Sequence, residues 1–329
     1  MPAVHALARG CNLVHIQYQA AAYGMTAPLH TLPRYLRIRA GARPVVITFH
    51  DLRVPYLFPK AGPLRWRAIL FMARSCHAVV VTNQEDLETL TAEFAKLRAA
   101  ARPELVMIPI GSNIDAQAAA TVDRAATRAA LGVAPDELLL CYFGFLNASK
   151  GGETLVRVLA RVVQAGRRAR LLMLGGEVGA SDPTNAGYAG QVRALITELG
   201  LDRHIIWAGY RPPAEVSACW AAADIAILPY VDGASLRRGT LMAALAHALP
   251  IVTTTPRVPV PQFRDGENIA LTPPDDVAAL AARVLALGES PVQRERLSRG
   301  AALAAVEFAW PRIAERHLEL YRSLLARSG

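Results

Sequence analysis

The sequence has no long uninterrupted apolar segment. Its longest apolar stretches, such as AILFMARSCHAVVV, are broken by charged residues or proline well before the roughly 20 residues that a membrane span needs. We therefore expect no transmembrane helix. The first residues, MPAVHALARGCNLVHIQY, also lack the basic start, the continuous apolar core and the small-residue cleavage site of a secretory signal. These absences favour a cytoplasmic protein.

Cysteine is scarce, and its placement argues against metal binding. The four cysteines are far apart, each within an apolar run: Cys11, Cys76, Cys141 and Cys219. We interpret them as buried thiols, because none has a second cysteine at the spacing of a metal site. The sequence also contains no Asp-x-Asp and no His-x-x-x-His pair. It therefore predicts neither a bound metal nor another cofactor.

A chain of 329 residues that is 53% hydrophobic can bury a large core and suggests about two domains. Valine- and isoleucine-rich runs alternate with helical stretches, which is typical of parallel sheets covered by helices. The runs that we predict to be strands are LVHIQ, PVVITFH, HAVVVT, ELVMIP, LLLCYFG, RLLMLG, HIIWAG, DIAILPY and PIVTT. The predicted fold class is α/β, with two Rossmann-like halves.

The segment PIGSNIDAQAAATVDRAATRAALG has the composition of a linker, so we place the domain boundary near residues 112–122. This divides the chain into a first domain at 1–115, a second at 116–310 and a closing segment at 311–329. The tail FAWPRIAERHLELYRSLLARSG has proline at a helix start and apolar residues at helical spacing. We predict an amphipathic closing helix that returns toward the first domain.

Ligands of open parallel sheets bind beyond the carboxyl ends of the strands, which in two facing halves means the cleft between them. Lys150 lies at such a position, because it follows the strand LLLCYFG and a glycine-containing turn and precedes a helix. Only three of the 36 basic residues are lysines. A compact ammonium beside free helix amides can hold a diphosphate, although a solvated surface lysine is an equally good interpretation.

A second such position is DGASLRRGTLMAALAHAL, which places Arg237 and Arg238 at the start of a helix after the strand DIAILPY. Arginine works against the helix dipole there unless an anion binds over the helix terminus. Gly239 allows close approach of a ligand, and Ser235 and Thr240 offer hydroxyls. The pattern predicts an anion site. The alternative is that both arginines pair with acids elsewhere.

His50 and Asp51 follow the strand PVVITF in the first half. A histidine there could bind or deprotonate a hydroxyl substrate. A structural histidine that is hydrogen-bonded to a loop carbonyl is the competing interpretation.

The net charge of +9 is unevenly distributed. Residues 34–74 contain nine basic side chains and a single acid, Asp51, with apolar and aromatic residues between them. This mixture suits an anionic membrane surface, although a solvated basic face is as good an interpretation. We expect no nucleic-acid partner, because the cluster has no known nucleic-acid-binding module.

A series of segments occurs in this order: NLVHIQYQAAAYG, TFHD, IPIGSNID, YFGFLNASKGGETLV, LLMLGG, HIIWAGYRPPAEVSACWAAADIAILPY, ALAHALPIVTT, RDGENIALTPPDDVAALA and FAWPRIAERHLELYRSL. With this series, the chain resembles the family 4 glycosyltransferases over nearly all of residues 11–327. The resemblance implies the GT-B fold of two facing Rossmann-like domains. It also implies transfer of a sugar from a nucleoside-diphosphate donor to a hydroxyl acceptor, with retention at the anomeric carbon and without metal. Our own expectation is that the acceptor is lipid-linked or a polysaccharide.

By this resemblance, Lys150 matches the lysine that neutralises the donor diphosphate, and His50 matches an acceptor-side histidine. The family's arginine after Gly144 is replaced by Phe145, and its two glutamates fall on Ser235 and Ala243. Arg237 and Arg238 could restore the charge lost at Phe145. We expect His50, Lys150 and Arg238 to be catalytic. The donor site would add Gly144, Ser235, Arg237, Gly239 and Thr240, and Asp51 would join His50 on the acceptor side.

The missing glutamates also allow a protein that binds a nucleotide sugar, or partners an active transferase, without catalysis. About four strands can be read before the linker, fewer than a full first domain of this family would contain. We therefore expect a first domain shortened at its amino terminus, completed by upstream sequence or by a second subunit. Association of the basic region with the inner face of the membrane is a further expectation.

Overall fold

The computed structural model describes residues 10–19, 28–39, 43–52, 62–176 and 184–327. The strands, in chain order, are β1 (Val14–Tyr18), β2 (Val45–Phe49), β3 (Ala78–Val81), β4 (Glu104–Met107), β5 (Leu138–Phe143), β6 (Ala169–Leu174), β7 (Ile205–Gly209), β8 (Ile225–Leu228), β9 (Ile251–Thr254) and β10 (Ala270–Thr272). The helices are α1 (Pro28–Arg39), α2 (Gly62–Arg74), α3 (Gln84–Ala95), α4 (Arg124–Ala130), α5 (Gly152–Gln164), α6 (Thr184–Glu198), α7 (Pro213–Ala222), α8 (Gly239–Ala246), α9 (Val277–Glu289), α10 (Pro291–Ala305) and α11 (Trp310–Ala326).

The chain divides into two compact units. Unit 1 contains Met1–Ile110 and Trp310–Gly329, and unit 2 contains Gly111–Ala309. Each unit has one sheet, and every pairing between its strands is parallel. Both sheets alternate with helices along the chain, so the predicted α/β class with Rossmann-like halves is confirmed.

The sheet of unit 1 has the order β1-β2-β3-β4 and is covered on both faces. On β2, Val45, Ile47 and Phe49 enter one core cluster, which also contains buried residues of α1, α2 and α3. The intervening Val46 enters a second cluster with Ile313 and other apolar residues of α11. Burial of both faces explains why the central strands β2 and β3 are almost wholly apolar in sequence.

The sheet of unit 2 has the order β10-β9-β8-β5-β6-β7. Strand β5 lies in the interior, with β6 and β7 on one side and β8, β9 and β10 on the other. The direction in which the chain adds strands therefore reverses between β5 and β8. In open parallel sheets, ligands bind beyond the carboxyl ends of the strands at such a reversal.

Asp224 connects several elements at the opposite, amino-terminal edge of this sheet. Its carboxylate accepts from the backbone N–H of Leu139 at 2.7 Å and pairs with Arg124 at 2.5 Å and with Arg128 at 3.1 Å. Arg128 also donates to the carbonyl of Ala222. The acid thus joins β5, β8 and α4.

Two sequence-based interpretations need correction. The strand β10 was not predicted, because its three residues are too few to give a periodic signal. The interpretation of all four cysteines as buried is wrong for Cys11, which is exposed because it precedes β1 in a connecting segment. Cys76, Cys141 and Cys219 are buried. In the described ranges, no helix is long and apolar enough to cross a membrane.

Candidate functional site

The loop between β5 and α5 is shaped by two glycines. Gly144 ends β5 with φ +127°, and Gly151 precedes α5 with φ +69°, both in the region that side chains disfavour. A Cβ on Gly151 would lie 2.0 Å from the carbonyl oxygen of Pro229, so only glycine fits there. Between the two glycines, Asn147 caps a short 3-10 turn by accepting from the backbone N–H of Lys150 at 3.1 Å. The loop is therefore held close to the end of β8.

This loop folds Lys150 back over the end of β5. Its Nζ lies 2.8 Å from the position that a Cβ on Gly144 would take, and 5.9 Å from the centroid of the Phe145 ring. Burial, and to a smaller extent the nearby charge of Arg238, lowers the pKa of the Lys150 ammonium from its ordinary value to about 8. Within the described residues, no carboxylate forms an ion pair with this ammonium. Such a cation favours an anionic ligand.

The second loop, between β8 and α8, brings Arg238 into the same region. Arg238 is the N-cap residue of α8, and its own side chain does not cap the first amides of that helix. Its guanidinium donates to Asp232 Oδ1 and lies 4.6 Å from the centroid of the Tyr230 ring. Asp232 is thus the acid partner that the alternative interpretation of the arginines required. The pairing leaves other donors of the guanidinium for a ligand.

Contacts of Thr240 and Val231 connect the two loops, and Tyr230 is hydrogen-bonded to Thr240. The hydroxyl groups of Tyr230 and Thr240 are 2.6 Å apart, and burial raises the pKa of Tyr230 to about 12, so it remains neutral. The Thr240 methyl group lies 3.2 Å from the position of a Cβ on Gly144. The backbone N–H of Val231 donates to the carbonyl of Ser149 at 3.1 Å. Four predicted donor-site residues, Gly144, Lys150, Arg238 and Thr240, are therefore brought together at the β5–β8 reversal.

The remaining predicted donor-site residues lie along the second loop. Ser235 is half-buried, and its carbonyl accepts from the backbone N–H of Arg238 at 3.1 Å. Arg237 is also half-buried. Gly239 is exposed, and a Cβ there would meet nothing within 4 Å, so the fold itself does not require glycine. Ala243 is buried inside α8 and presents no polar group to a ligand.

In unit 1, His50 belongs to a chain of hydrogen bonds rather than to a loop-carbonyl contact. Its Nε2 donates to Gln17 Oε1 at 2.9 Å, and the Gln17 amide approaches His15 Nε2 at 3.3 Å. Burial lowers the pKa of His50, which favours the neutral imidazole. Asp51, beside it, is exposed. With Nε2 donating to Gln17, Nδ1 of His50 is the nitrogen that can accept a proton.

His15 lies deeper in this chain of hydrogen bonds. Its Nδ1 donates to the hydroxyl of Tyr321 on α11 at 2.5 Å, and its Nε2 accepts from the Thr48 hydroxyl at 2.7 Å. Burial, together with the neighbouring His317 and His50, lowers the pKa of His15 to about 4. His15 therefore stabilises the packing of α11 as a neutral ring.

Sequence reasoning did not predict the contacts of three residues at the candidate donor-side site, namely Asp232, Tyr230 and Phe145. Asp232 and Tyr230 hold Arg238, and their only sequence signal is their position in the same post-strand loop. Phe145 exposes 46% of its surface beside Lys150, where the resemblance would place an arginine. Among the described residues, no group of three His, Cys, Asp or Glu side chains is arranged to hold a metal ion.

Comparison with protein families gives a match within unit 2. Residues 137–290 match the family model Glyco_trans_1_4, described as glycosyl transferases group 1. Curated relatives include the D-inositol 3-phosphate glycosyltransferase of Nocardia farcinica, which is 28% identical over 267 residues, covering 76% of this chain and 56% of the relative. The Corynebacterium efficiens protein of the same name is 31% identical over 205 residues, covering 60% of this chain and 46% of its own length. The chain thus spans about half the length of these relatives.

Solved structures match over nearly the whole chain. The Anabaena protein HepE, in complex with UDP and glucose, has a TM-score of 0.76 at 21% identity, covering 98% of this chain and 80% of that protein. Sucrose-phosphate synthase from Thermosynechococcus elongatus has a TM-score of 0.72 at 22% identity, covering 97% of this chain and 75% of the synthase. The predicted GT-B fold and the resemblance to family 4 glycosyltransferases are both confirmed.

Proposed function

We propose that this chain, which has the fold and the sequence pattern of the group 1 glycosyltransferases, transfers a hexose from a nucleoside-diphosphate sugar to a hydroxyl acceptor, with retention and without a metal ion. The observation that carries the proposal is the half-buried Lys150 ammonium, which no carboxylate of the described residues neutralises, at the β5–β8 reversal. A cation in this environment is stabilised by an anion bound over it.

The chemistry requires stabilisation of the leaving diphosphate. When the bond between the anomeric carbon and the phosphate oxygen breaks, negative charge develops on the diphosphate. The Lys150 ammonium, the Arg238 guanidinium and the first amides of α8 are the donors that would meet this charge. No metal is needed in this scheme because the chain supplies the positive charge. Arg237, Ser235, Gly239 and Thr240 would complete the donor side.

The identity of the donor is supported by the relatives. The Anabaena structures hold UDP, UDP with glucose, and UDP-glucose, so a nucleoside-diphosphate sugar is the ligand class that we assign here. The curated relatives are named D-inositol 3-phosphate glycosyltransferases. For this chain we propose a hydroxyl acceptor on a glycan or a lipid-linked molecule.

On the acceptor side, we propose that His50 binds the acceptor hydroxyl and receives its proton. The neutral imidazole, favoured by the lowered pKa, is held by its Nε2 donation to Gln17, which directs Nδ1 to the role of acceptor. Asp51 would accept a further acceptor hydroxyl.

A lipid-linked acceptor agrees with the surface of α1 and α2. Neither helix contains an acidic residue. On α2, Leu64, Arg67, Phe71 and Arg74 recur at helical spacing and are all exposed, with Leu64 at 67% and Phe71 at 45%. On α1, Ile38 is 62% exposed beside Arg37 and Arg39.

The ends of the two helices lie side by side, because Arg37 Nη1 donates to the carbonyl of Arg74 at 3.5 Å. We therefore propose that this surface contacts an anionic membrane, with basic groups on the headgroups and apolar groups inserted. Arg53 and Lys60 of the predicted basic cluster lie outside the described residues.

The test of the transferase proposal is calorimetric titration with uridine, guanosine and adenosine diphosphates and their sugars, followed by transfer assays. We expect Lys150→Ala and Arg238→Ala each to weaken binding of the preferred nucleoside diphosphate and to lower turnover roughly 10² to 10³-fold. Lys96→Ala is the matched control, because Lys96 is an exposed lysine paired with Glu93 in unit 1. Unchanged affinity in both site variants would exclude this site. Binding without transfer or hydrolysis would instead support a non-catalytic binding protein.

The membrane proposal is tested by sedimentation with vesicles of anionic and neutral lipid. The chain should sediment with anionic vesicles at low salt, since each basic residue near the surface contributes about 1 kcal/mol. The double variant Arg67→Glu/Arg74→Glu should lose this binding. Arg157→Glu/Arg161→Glu, which changes two exposed arginines of α5, should keep it. If the chain sediments equally with anionic and neutral vesicles, this surface is only a solvated basic face.

A further inference from the structure

The loop that supplies Arg238 also supplies an acid to the same site. Asp232 precedes Arg238 by six residues, and its carboxylate accepts from the Arg238 guanidinium. The side chains of Arg238 and Asp232 are only 18% and 27% exposed. In such a partly desolvated place, a charge acts on its neighbours more strongly than it would in water.

This acid opposes the binding of the proposed ligand in two ways. Its carboxylate takes one donor of Arg238 that a diphosphate would otherwise use. It also adds a negative charge beside Arg238, which is itself close enough to Lys150 to lower the pKa of that ammonium. A diphosphate bound to Lys150 and Arg238 therefore meets a like charge fixed on the same loop.

We propose that Asp232 is a built-in competitor that limits how tightly the product nucleoside diphosphate is held. The inference rests on the proposed transferase function. In the reaction, the anomeric carbon forms a bond to the acceptor oxygen, the bond to the diphosphate oxygen breaks, and the acceptor hydroxyl gives its proton to His50, the base proposed above. The released nucleoside diphosphate thus carries one more ionised oxygen than the sugar donor, because the terminal phosphate has its second pKa near 6.

Because the product carries this extra negative charge, Asp232 weakens the binding of the product more than the binding of the sugar donor. Lys150 and Arg238 attract the product more strongly than the donor, so product would accumulate on a site made of cations alone. The Asp232 carboxylate repels the product more than the donor and partly cancels that preference. Asp232 therefore promotes product release while it weakens donor binding less.

The experiment compares Asp232→Asn with wild type in the full chain. Asparagine has the same shape, and its amide oxygen can still accept from Arg238, so the variant removes the charge and keeps the contact. We expect the affinity for the nucleoside diphosphate to rise about tenfold and the affinity for its sugar ester to rise less. Steady-state turnover should fall more than the rate of a single turnover.

Asp136→Asn is the matched control. Asp136 is an exposed acid of unit 2, paired with Arg168, and it precedes the amino-terminal end of β5. Its substitution changes the net charge equally and should leave both affinities unchanged. Asp232→Ser, which removes the charge with a smaller side chain, is measured in parallel in case the asparagine variant does not fold.

A nucleoside diphosphate affinity that is unchanged or lower in the Asp232 variants would overturn the inference, since Asp232 would then only position Arg238 or act elsewhere. An equal gain for product and donor would also overturn the claim of selective release. If Lys150→Ala and Arg238→Ala alter nucleotide binding while Asp232→Asn does not raise it, the inference fails and the proposed function stands. If neither Lys150→Ala nor Arg238→Ala changes nucleotide binding, the proposed function itself fails.

Discussion

Raising the pH from about 7 to about 9 should weaken the binding of a nucleoside diphosphate, because Lys150 loses its charge in this range. With a pKa of about 8 in the free protein, the ammonium is about nine-tenths charged at the lower pH and about one-tenth charged at the higher. A bound diphosphate stabilises the charged form and raises that pKa. The affinity should therefore fall about tenfold, in proportion to the charged fraction.

Calorimetry in two buffers of different ionisation enthalpy measures this coupling directly. Binding should take up about 0.1 proton per site near pH 7 and about 0.9 near pH 9. The Lys150→Gln variant should bind more weakly at every pH and lack this uptake. Lys96→Gln should behave as wild type, because Lys96 is exposed and paired with Glu93. Ionisation of the ligand itself appears equally in all variants. Equal pH dependence in wild type and Lys150→Gln would refute the assignment of Lys150 to the diphosphate.

Two further predictions concern stability. Acid should destabilise unit 1, because the pKa of His15 is lowered from 6.5 to about 4 in the folded chain. The unfolded chain then binds more protons between these values, and a contribution of about 3 kcal/mol that is present above pH 6.5 is lost as the pH falls toward 4. Urea unfolding of His15→Gln should show a flatter pH dependence than wild type, and parallel curves would contradict the account. Asp224→Asn should lower the free energy of unfolding by about 3 kcal/mol, because Arg128 would lose the charge that balances it. A loss no larger than that of Asp136→Asn would argue against this role.

Most strands, and the place of the candidate donor-side site at the strand ends, could be predicted from the sequence. Leu138–Phe143 is apolar without interruption, and Val45–Phe49 is interrupted only by the buried Thr48, since both faces of each sheet are covered. This signal does not depend on distant residues. Lys150 and Arg238 could be singled out because each follows such a strand and begins a helix. The end of a strand can be recognised from the residues next to it in the sequence.

The ion pair between Arg238 and Asp232 could not be predicted in this way. Whether Arg238 meets Asp232 depends on the path of the loop from Val231 to Leu236, which is set by contacts with other segments. One example is the carbonyl of Thr254, which accepts from the N–H of Ala234 at 3.1 Å. The burial of the Lys150 side chain depends likewise on the packing of Gly144 against Thr240. These are tertiary contacts between residues far apart in sequence, and periodicity carries no information about them.

The most direct test of the central claim is a crystal structure of the chain with the nucleoside diphosphate that binds most tightly. The account predicts that the diphosphate lies at the carboxyl ends of β5 and β8, with phosphate oxygens about 3 Å from Lys150 Nζ and from the Arg238 guanidinium. A diphosphate bound elsewhere in the chain, with Lys150 and Arg238 making no contact to it, would contradict the account.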